Sequence, residues 1–180
     1  MQKKLTSILI FGFAQLFLLV ILSNHVVDGT ISILGTSAFK LGNKTVTIED
    51  IEGFDFSTDS HYNRVFSQPD AAFFIIKELE NDMVEMILTG TQIRSGAYQN
   101  FDDIKSDYTN DSNLIILSVE ESNSFLDVKF INKESDSRIL FVRFYEAYPY
   151  FLQLLTTWEG NPDEIPLDIE KALSAIRVTQ

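Results

Sequence analysis

Few side chains in this sequence are suited to covalent or metal chemistry. The 180 residues contain two histidines, His25 and His61, and no cysteine. This inventory excludes a Cys–His pair and the usual zinc site, both of which need more such side chains. A Ser–His–Asp triad would have to use His61, but Ser95, in the segment RSGAY, lacks the Gly-x-Ser-x-Gly elbow. We therefore predict no catalytic residue and interpret His61 as a surface-turn residue.

Acidic side chains are abundant, but their spacing fits neither calcium binding nor glycoside hydrolysis. Oxygen-bearing residues alternate after Asp55 and after Asp107, as at the start of a calcium loop, yet both segments lack the glycine and the glutamate that such a loop requires. Glycosidases need two carboxylates separated across a cleft. The paired carboxylates here are neighbours in sequence: Asp102-Asp103, Glu120-Glu121 and Asp163-Glu164. We predict polar turns, no metal ligand and no cofactor.

One candidate binding surface is formed by aromatic residues. The segment FYEAYPYF, residues 144–151, places five aromatic side chains around a turn. Exposed tyrosines are typical anchors of protein interfaces, so we predict Tyr145, Tyr148 and Tyr150 as partner-binding residues. The alternative is that these rings fill the core and the strand edges, as aromatic residues at strand junctions commonly do.

Four segments with strand character must position that turn. NLIILSV, FLDVKFINK, RILFVRFYEA and YFLQLLTTWEG follow one another through links of a few residues, whereas a parallel connection needs about a dozen or more. The four segments therefore predict an antiparallel meander. NLIILSV is a continuous apolar run, which predicts a strand buried on both faces. Trp158 shares a strand face with Leu152 and Leu154 and is predicted in the core.

Two segments have the apolar spacing of helices that pack on a sheet. AYQNFDDIKSDY predicts a short helix, and NPDEIPLDIEKALSAIRV predicts a C-terminal helix. Asp168 and Glu170 near the start of the second helix and Arg177 near its end complement the helix dipole. The predicted apolar faces are Tyr98, Phe101, Ile104 and Tyr108 in the first helix, and Ile165, Ile169, Ala172, Leu173 and Ile176 in the second.

Residues 68–89 match two different structures. Apolar residues at helical spacing, with Ser67 and Asp70 as a capping pair and Gly90 as a stop, favour one helix. The same residues also match two strands, AAFFIIKEL and MVEMILTG, joined by a turn at residues 80–82. Local signals slightly favour the helix. The apolar residues at helical spacing are Ala72, Ile76, Leu79, Met83 and Ile87.

Residues 1–29 predict a signal peptide or a signal-anchor transmembrane helix. Lys3 and Lys4 precede an apolar run without charges, residues 5–22, whose length lies between that of a secretory signal and that of a spanning helix. We favour a retained hydrophobic helix that attaches the protein to the membrane through residues 5–22. Because both lysines stay in the cytoplasm, the rest of the chain is predicted to be extracytoplasmic. A cleaved chain would be secreted or periplasmic.

Composition limits the remaining residues to one acidic domain. Residues 30–44 are predicted to be a linker with one short strand candidate, TISILG, and residues 45–180 to be a single α+β domain. The formal net charge of −12 opposes nucleic-acid binding, which needs a basic surface. Without cysteine there is no disulfide framework, so packing alone must hold the domain.

The order of these elements resembles the PsbP/DcrB-like families. The resemblance is carried by an extended start, VTIEDIEGFDFS, a mid-chain helix, the antiparallel meander, and the final strand, loop and helix in YPYFLQLLTTWEGNPDEIPLDIEKALSAIRV. It implies an antiparallel sheet with packed helices, and it favours two strands for residues 68–89. It also implies a non-enzymatic binding or accessory domain that assists a larger assembly at a membrane, with no shared catalytic residues.

Two other functions stay open at this point. A small-ligand carrier would have an apolar cavity without convergent titratable groups. A hydrolase would have a closed pocket in which His61 meets a carboxylate. We rank the carrier above the hydrolase, because the sequence is rich in apolar strands and poor in reactive side chains.

Overall fold

The described part of the chain is an α+β structure built on two antiparallel sheets. The computed structural model describes residues 31–33, 36–58, 60–66, 71–80, 83–94, 96–134 and 138–180. These residues form a four-stranded sheet, a seven-stranded sheet and three helices. The predicted α+β class is confirmed, and the predicted N-terminal hydrophobic helix lies outside the described residues. Within the ranges given, no helix has the length and apolarity needed to cross a membrane.

The helices interrupt the strands at three points along the chain. The strands in the described ranges are β1 (Ile31–Ile33), β2 (Thr36–Leu41), β3 (Lys44–Glu49), β4 (Asp55–Ser57), β5 (Ala71–Glu78), β6 (Val84–Arg94), β7 (Leu114–Glu121), β8 (Leu126–Asn132), β9 (Ile139–Ala147), β10 (Tyr150–Trp158) and β11 (Ile176–Thr179). The helices are α1 (Ser60–Val65), α2 (Phe101–Asn110) and α3 (Leu167–Ser174). The small sheet has the order β1–β2–β3–β11, and the large sheet has the order β4–β5–β6–β10–β9–β8–β7.

The predicted antiparallel meander is confirmed in the large sheet. Strands β7, β8, β9 and β10 are consecutive neighbours, each antiparallel to the next. The outer side of β10 pairs with β6, so the β9–β10 hairpin runs through the middle of the sheet. At its open end Ile139 lies opposite Trp158. Trp158 is buried in the same cluster as Leu152 and Leu154, as predicted.

The segment 68–89 contains two strands, and the single helix favoured by local spacing is wrong. Its described residues form β5 and the first part of β6, which pair with each other. Four consecutive residues of β5, from Phe73 to Ile76, are buried. Consecutive burial requires cover on both faces of a strand, whereas an amphipathic helix buries one face. Phe73 packs against Phe39 and Phe56, and Phe74 packs against Tyr62 and Phe66. The apolar spacing within residues 68–89 does not indicate these contacts, because all four rings lie outside that segment.

The segment predicted as a linker, residues 30–44, contributes two strands to the small sheet. β1 and β2 lie inside it, and β3 begins at Lys44. β2 and β3 form a hairpin around Gly42 and Asn43, and β11 pairs with the other side of β3. Leu41, at the end of β2, is buried in the core. The C-terminal strand therefore stabilises a hairpin that has few local signals of its own.

The hydrophobic core has two layers, one on each face of the large sheet. One face packs against the small sheet and α3, and the other packs against α2. α3 buries Ile169, Ala172 and Leu173 as predicted. It ends at Ser174, however, and Ile176 belongs to β11, where it lies opposite Ile48. The helix stops there because the next residues complete the small sheet.

α2 closes the second layer with the apolar face that the sequence predicts. Ile104 is fully buried, and Tyr98, Phe101 and Tyr108 pack against the same cluster. The Tyr108 ring contacts that of Phe130 with a centroid distance of 5.2 Å. Burial raises the pKa of the Tyr108 hydroxyl well above its ordinary value. This tyrosine therefore serves as a packing residue of the α2 layer.

Two of the carboxylate pairs stabilise α2 and its contact with β7. The Asn100 side chain accepts a hydrogen bond of 3.0 Å from the Asp103 N–H, and Asp103 Oδ2 accepts one of 2.7 Å from a backbone N–H four residues earlier. Lys105 Nζ lies 2.6 Å from a carboxylate oxygen of Asp102 and 2.6 Å from one of Glu121. These acidic residues cap the helix and pair with a lysine, which accounts for them without catalysis.

Strand β7 lies at an edge of the large sheet, and the prediction that it is buried on both faces is wrong. Leu114 and Ile116 pack in the layer of α2, but Ile115 and Leu117 are 47% and 37% exposed. A register shift between Ile116 and Ser118 interrupts the pairing with β8. Such bulges are common on edge strands, where they discourage pairing with another chain.

An ion pair is largely enclosed on the face of the large sheet that carries the small sheet. Arg143 donates two hydrogen bonds of 2.7 Å to the two carboxylate oxygens of Asp127. The guanidinium also lies 4.2 Å from the centroid of the Phe125 ring. Burial disfavours the charge on Arg143, but the hydrogen bonds and charge of Asp127 raise its pKa above the ordinary value. The pair and the ring thus join β8 and β9 through their side chains.

Removing one partner of this pair is expected to cost more than removing both. Asp127→Leu leaves the guanidinium of Arg143 without its counter-charge, so we expect the free energy of unfolding to fall by about 2–4 kcal/mol. The double variant Asp127→Leu/Arg143→Leu should recover much of that loss, because no unpaired charge remains. Urea unfolding of the three proteins measures both effects. A double variant that loses as much free energy of unfolding as Asp127→Leu, or more, would contradict this expectation.

Candidate partner-binding site

The three predicted tyrosines lie at the closed end of the β9–β10 hairpin, but they differ in exposure. Tyr148 is 74% exposed, Tyr150 is half-buried, and Tyr145 is 9% exposed. The Tyr145 ring packs edge-on against Phe125, with a centroid distance of 6.0 Å. Tyr145 is therefore a core residue, which was the alternative interpretation. Tyr148 is exposed enough to contact a partner.

A two-residue turn carries Tyr148 between the paired ends of the hairpin. Ala147 lies opposite Tyr150, and the Tyr148–Pro149 peptide bond between them is cis. The Tyr148 carbonyl oxygen accepts a hydrogen bond of 2.9 Å from the Asn43 N–H. The turn of the large sheet is thus bonded to the turn of the β2–β3 hairpin in the small sheet.

Gly42 makes this contact between the two turns possible. Its φ of +56° lies in the left-handed region that glycine adopts without steric cost. A Cβ atom at this position would overlap the carbonyl oxygens of Ala147 and Tyr148. Backbone atoms cannot move aside as a flexible side chain would. The β2–β3 turn can therefore lie this close to the β9–β10 turn only if residue 42 is glycine. The backbone under Tyr148 is therefore fixed by tertiary packing.

Two concavities flank the exposed ring, and Glu146 and Tyr148 contribute to both. The first has a volume of about 320 Å³. The second, of about 210 Å³, lies on the side of the small sheet. The first is lined by Gln99, Glu146, Tyr148, Tyr150 and Phe151. The second adds Asn43, Lys44, Phe101, Asn123, Ser124, Tyr145 and Val178.

This surface, here called the tyrosine turn (residues 145–150 with its two concavities), is suited to recognition. Its lining combines aromatic rings with amide, hydroxyl and carboxylate groups, which supply both apolar area and directional hydrogen bonds. His61 is exposed in α1, with its ring centroid 5.7 Å from that of Tyr62, and it lines neither concavity. Across the described residues, no group of three acidic or histidine side chains is placed to hold a metal ion.

Several residues of the site are not evident from the sequence. Gly42 and Asn43 form a turn signal, but nothing local indicates that their turn contacts residues more than 100 positions away. Gln99 reaches the site because it precedes α2, which packs under Phe151. Glu146 could have been suspected from its position between the two aromatic pairs of the segment.

Comparison with known proteins adds no family assignment. No family model matches the chain, and no curated protein matches it.

Substitution of Gly42 tests how far the tyrosine turn depends on this backbone contact. Gly42→Ala adds both left-handed strain and an overlap with two carbonyl oxygens, so we expect a loss of about 2–4 kcal/mol in the free energy of unfolding. Gly53→Ala is the matched control, since Gly53 has φ +83° but no atom within 4 Å of the added Cβ. The free energy of unfolding of this control should fall only by the cost of the left-handed strain, about 1–2 kcal/mol. Urea unfolding in which both variants lose the same amount would contradict the proposed contact.

Proposed function

We propose that this protein is a non-enzymatic, extracytoplasmic binding or accessory domain that recognises a protein partner through the tyrosine turn. It is tethered to a membrane by residues 5–22 and assists a larger assembly there. The resemblance to the PsbP/DcrB-like families, drawn from the order of elements, is part of this proposal. Nucleic acid is not among the proposed partners, because the chain carries an excess of acidic residues.

The observation that carries the proposal is the exposed Tyr148 ring on an immobilised turn. A large aromatic side chain offers contact area with few rotatable bonds, so little conformational entropy is lost when it is bound. The hydrogen bond from Asn43 and the close approach of Gly42 already hold the backbone in place. The half-buried Tyr150 and the exposed Glu146 surround it with hydrogen-bonding groups. This combination of a rigid ring and a polar rim is typical of interface hot spots.

The two alternative functions have less support. A carrier would enclose its ligand, whereas both concavities at the tyrosine turn open to solvent and have mixed polar and apolar linings. A hydrolase would need His61 in its pocket, and His61, on the short helix α1, lines neither of these two concavities. These placements favour recognition at the surface over enclosure or catalysis.

The role of Tyr148 is tested by comparing binding with stability. Tyr148→Ala should leave the free energy of unfolding within about 0.5 kcal/mol, because the side chain is mostly exposed. We expect the same change to weaken partner binding by about 2 kcal/mol, and Tyr148→Phe to retain most of the affinity. Binding that survives Tyr148→Ala unchanged would contradict the proposal.

The partner can be identified by photo-crosslinking of the full-length chain in its native membrane. A photoreactive phenylalanine analogue replaces Tyr148 in one protein and Glu134, an exposed turn residue between β8 and β9, in the control. We expect a defined protein adduct from position 148 and none from position 134. Identical adducts from both positions, or none from position 148, would count against a site at the tyrosine turn. The adduct identified in this way supplies the partner for the affinity measurements.

The proposed tether has its own measurement, intact mass combined with membrane fractionation in a bacterial host. A retained hydrophobic helix predicts the full-length mass in the membrane fraction. A mass reduced by about 25–30 residues in the soluble periplasm would replace the tether with a cleaved signal. The tyrosine turn would be unaffected by that result, since it lies in the folded domain.

A further inference from the structure

A separate concave surface lies at the other end of the β9–β10 hairpin, opposite the tyrosine turn. It has a volume of about 510 Å³, within the range of roughly 300–1,000 Å³ typical of ligand sites. Tyr150 and Trp158 are the two ends of β10, so roughly 26 Å of extended strand separates this cleft from the tyrosine turn. We call it the Trp158 cleft; it is lined by Phe66, Glu85, Met86, Ile87, Arg138, Thr157, Trp158, Glu159, Pro166, Asp168 and Ile169.

The floor of the cleft is apolar and belongs to the core. Ile87, Trp158 and Ile169 line it although each is only 5–7% exposed, so small parts of their side chains form its base. The Trp158 indole N–H donates to the Asn161 carbonyl at 3.3 Å, which leaves the ring to supply apolar surface. An apolar group that enters the cleft therefore meets well-packed aliphatic and aromatic atoms.

The walls are held by polar contacts between different elements. Lys77 in β5 and Asp168 in α3 form an ion pair of 2.7 Å. Lys129 in β8 donates a hydrogen bond of 2.7 Å to the carbonyl of Pro162, in the connection between β10 and α3. These two contacts join α3, and the connection that precedes it, to the large sheet beside the cleft.

The rim carries an excess of carboxylates. Arg138 is paired with Glu159 at 3.3 Å. Lys77, which pairs with Asp168, also lies opposite Glu85 in the ladder of β5 and β6. The lining therefore contains three carboxylates and one guanidinium, and Lys77 pairs with Asp168 from outside the lining. Because the whole chain is also acidic, with a net charge of −12, a cationic ligand is electrostatically favoured and an anionic one is opposed.

Exposed apolar residues extend the surface beyond the cleft itself. Leu167, between two lining residues at the start of α3, is 63% exposed, and Val65, next to Phe66, is 50% exposed. Met83, just before β6, is 57% exposed and continues the strand that carries Glu85. A small molecule seated in the cleft would leave these side chains in water. A polypeptide bound in the cleft continues along the surface beyond it, where these residues are near sequence neighbours of lining residues.

We propose that the Trp158 cleft binds a cationic peptide segment of a partner protein, which inserts one large apolar side chain toward Ile87, Trp158 and Ile169. Basic side chains on either side of the inserted residue face Glu85 and Glu159. This site is independent of the tyrosine turn, so the domain has a recognition surface at each end of its central hairpin.

Trp158 is the single tryptophan of the chain, so its fluorescence reports directly on this cleft. The probe is the peptide acetyl-Lys-Lys-Leu-Phe-Lys-Lys-amide, titrated into the full-length protein in a nonionic detergent. Two comparison peptides replace Leu-Phe with Ser-Gly or all four lysines with glutamates. We expect a saturable change in Trp158 emission with the first peptide alone, and weaker binding at higher salt concentration.

Two variants and their matched controls locate the binding site. Thr157→Arg places a long cationic side chain in the cleft and should weaken binding by roughly tenfold, while Thr179→Arg, an exposed threonine of β11, should not. Glu85→Gln removes one rim charge and should weaken binding by about threefold. Its control, Glu120→Gln, removes an exposed charge from β7 and should have no effect. Glu85→Gln keeps the test valid should Thr157→Arg fail to fold.

Three results would overturn the proposal. The first is the absence of any saturable change in Trp158 emission with the Leu-Phe peptide. The second is equal binding of the Ser-Gly peptide, which would mean attraction to the acidic chain without an apolar anchor. The third is equal weakening by the cleft variants and their matched controls, which would place the peptide elsewhere on the protein.

Discussion

The structure depends on burial of the central strands of the large sheet on both faces. Strands β9 and β10 lie between the layer of α2 and the layer formed by the small sheet and α3. β5 lies between this second layer and the rings of Tyr62 and Phe66. Apolar burial is the dominant favourable contribution to folding, and this chain has no disulfide to add to it. One close contact shows how tightly the layers pack: the ring of Phe73 occupies the space where a side chain at Gly90 would lie. Substitution of either residue would disturb both neighbouring strands.

This two-sided burial also determines where the two proposed recognition surfaces lie. The middle of the β9–β10 hairpin is covered, so its side chains reach solvent chiefly at the two ends. At the closed end the β2–β3 turn fixes the backbone, and Tyr148 projects from it. At the open end the Trp158 cleft is lined by residues of β6, the end of β10 and the start of α3. Both surfaces lie at the ends of a hairpin whose strands are largely buried, which favours fixed geometry over adaptation.

Some charged side chains form ion pairs between elements of the fold, and others remain exposed on the surface. The largely enclosed Arg143 is satisfied by Asp127, and Lys77 and Lys105 pair with carboxylates across different elements. Since the chain has 26 acidic and 14 basic residues, pairing of this kind leaves a surplus of carboxylates on the surface. A net charge of this sign opposes the approach of anionic molecules and favours that of cationic ones.

The sequence by itself determined the α+β class, the antiparallel meander, the packing face of α2 and the core position of Trp158. These features follow from short-range periodicity and from links too short for any parallel crossover. Tertiary structure decided the rest. Residues 68–89 have helical spacing but form strands, because consecutive residues of β5 are buried. Ile176 belongs to β11, which completes the small sheet, and not to the helix. β7 lies at an edge of the large sheet. The placement of Tyr145 and Tyr148 was decided in the same way. Tyr145 packs against Phe125, and the turn that carries Tyr148 lies against Gly42, and neither contact is indicated by the sequence around the tyrosines.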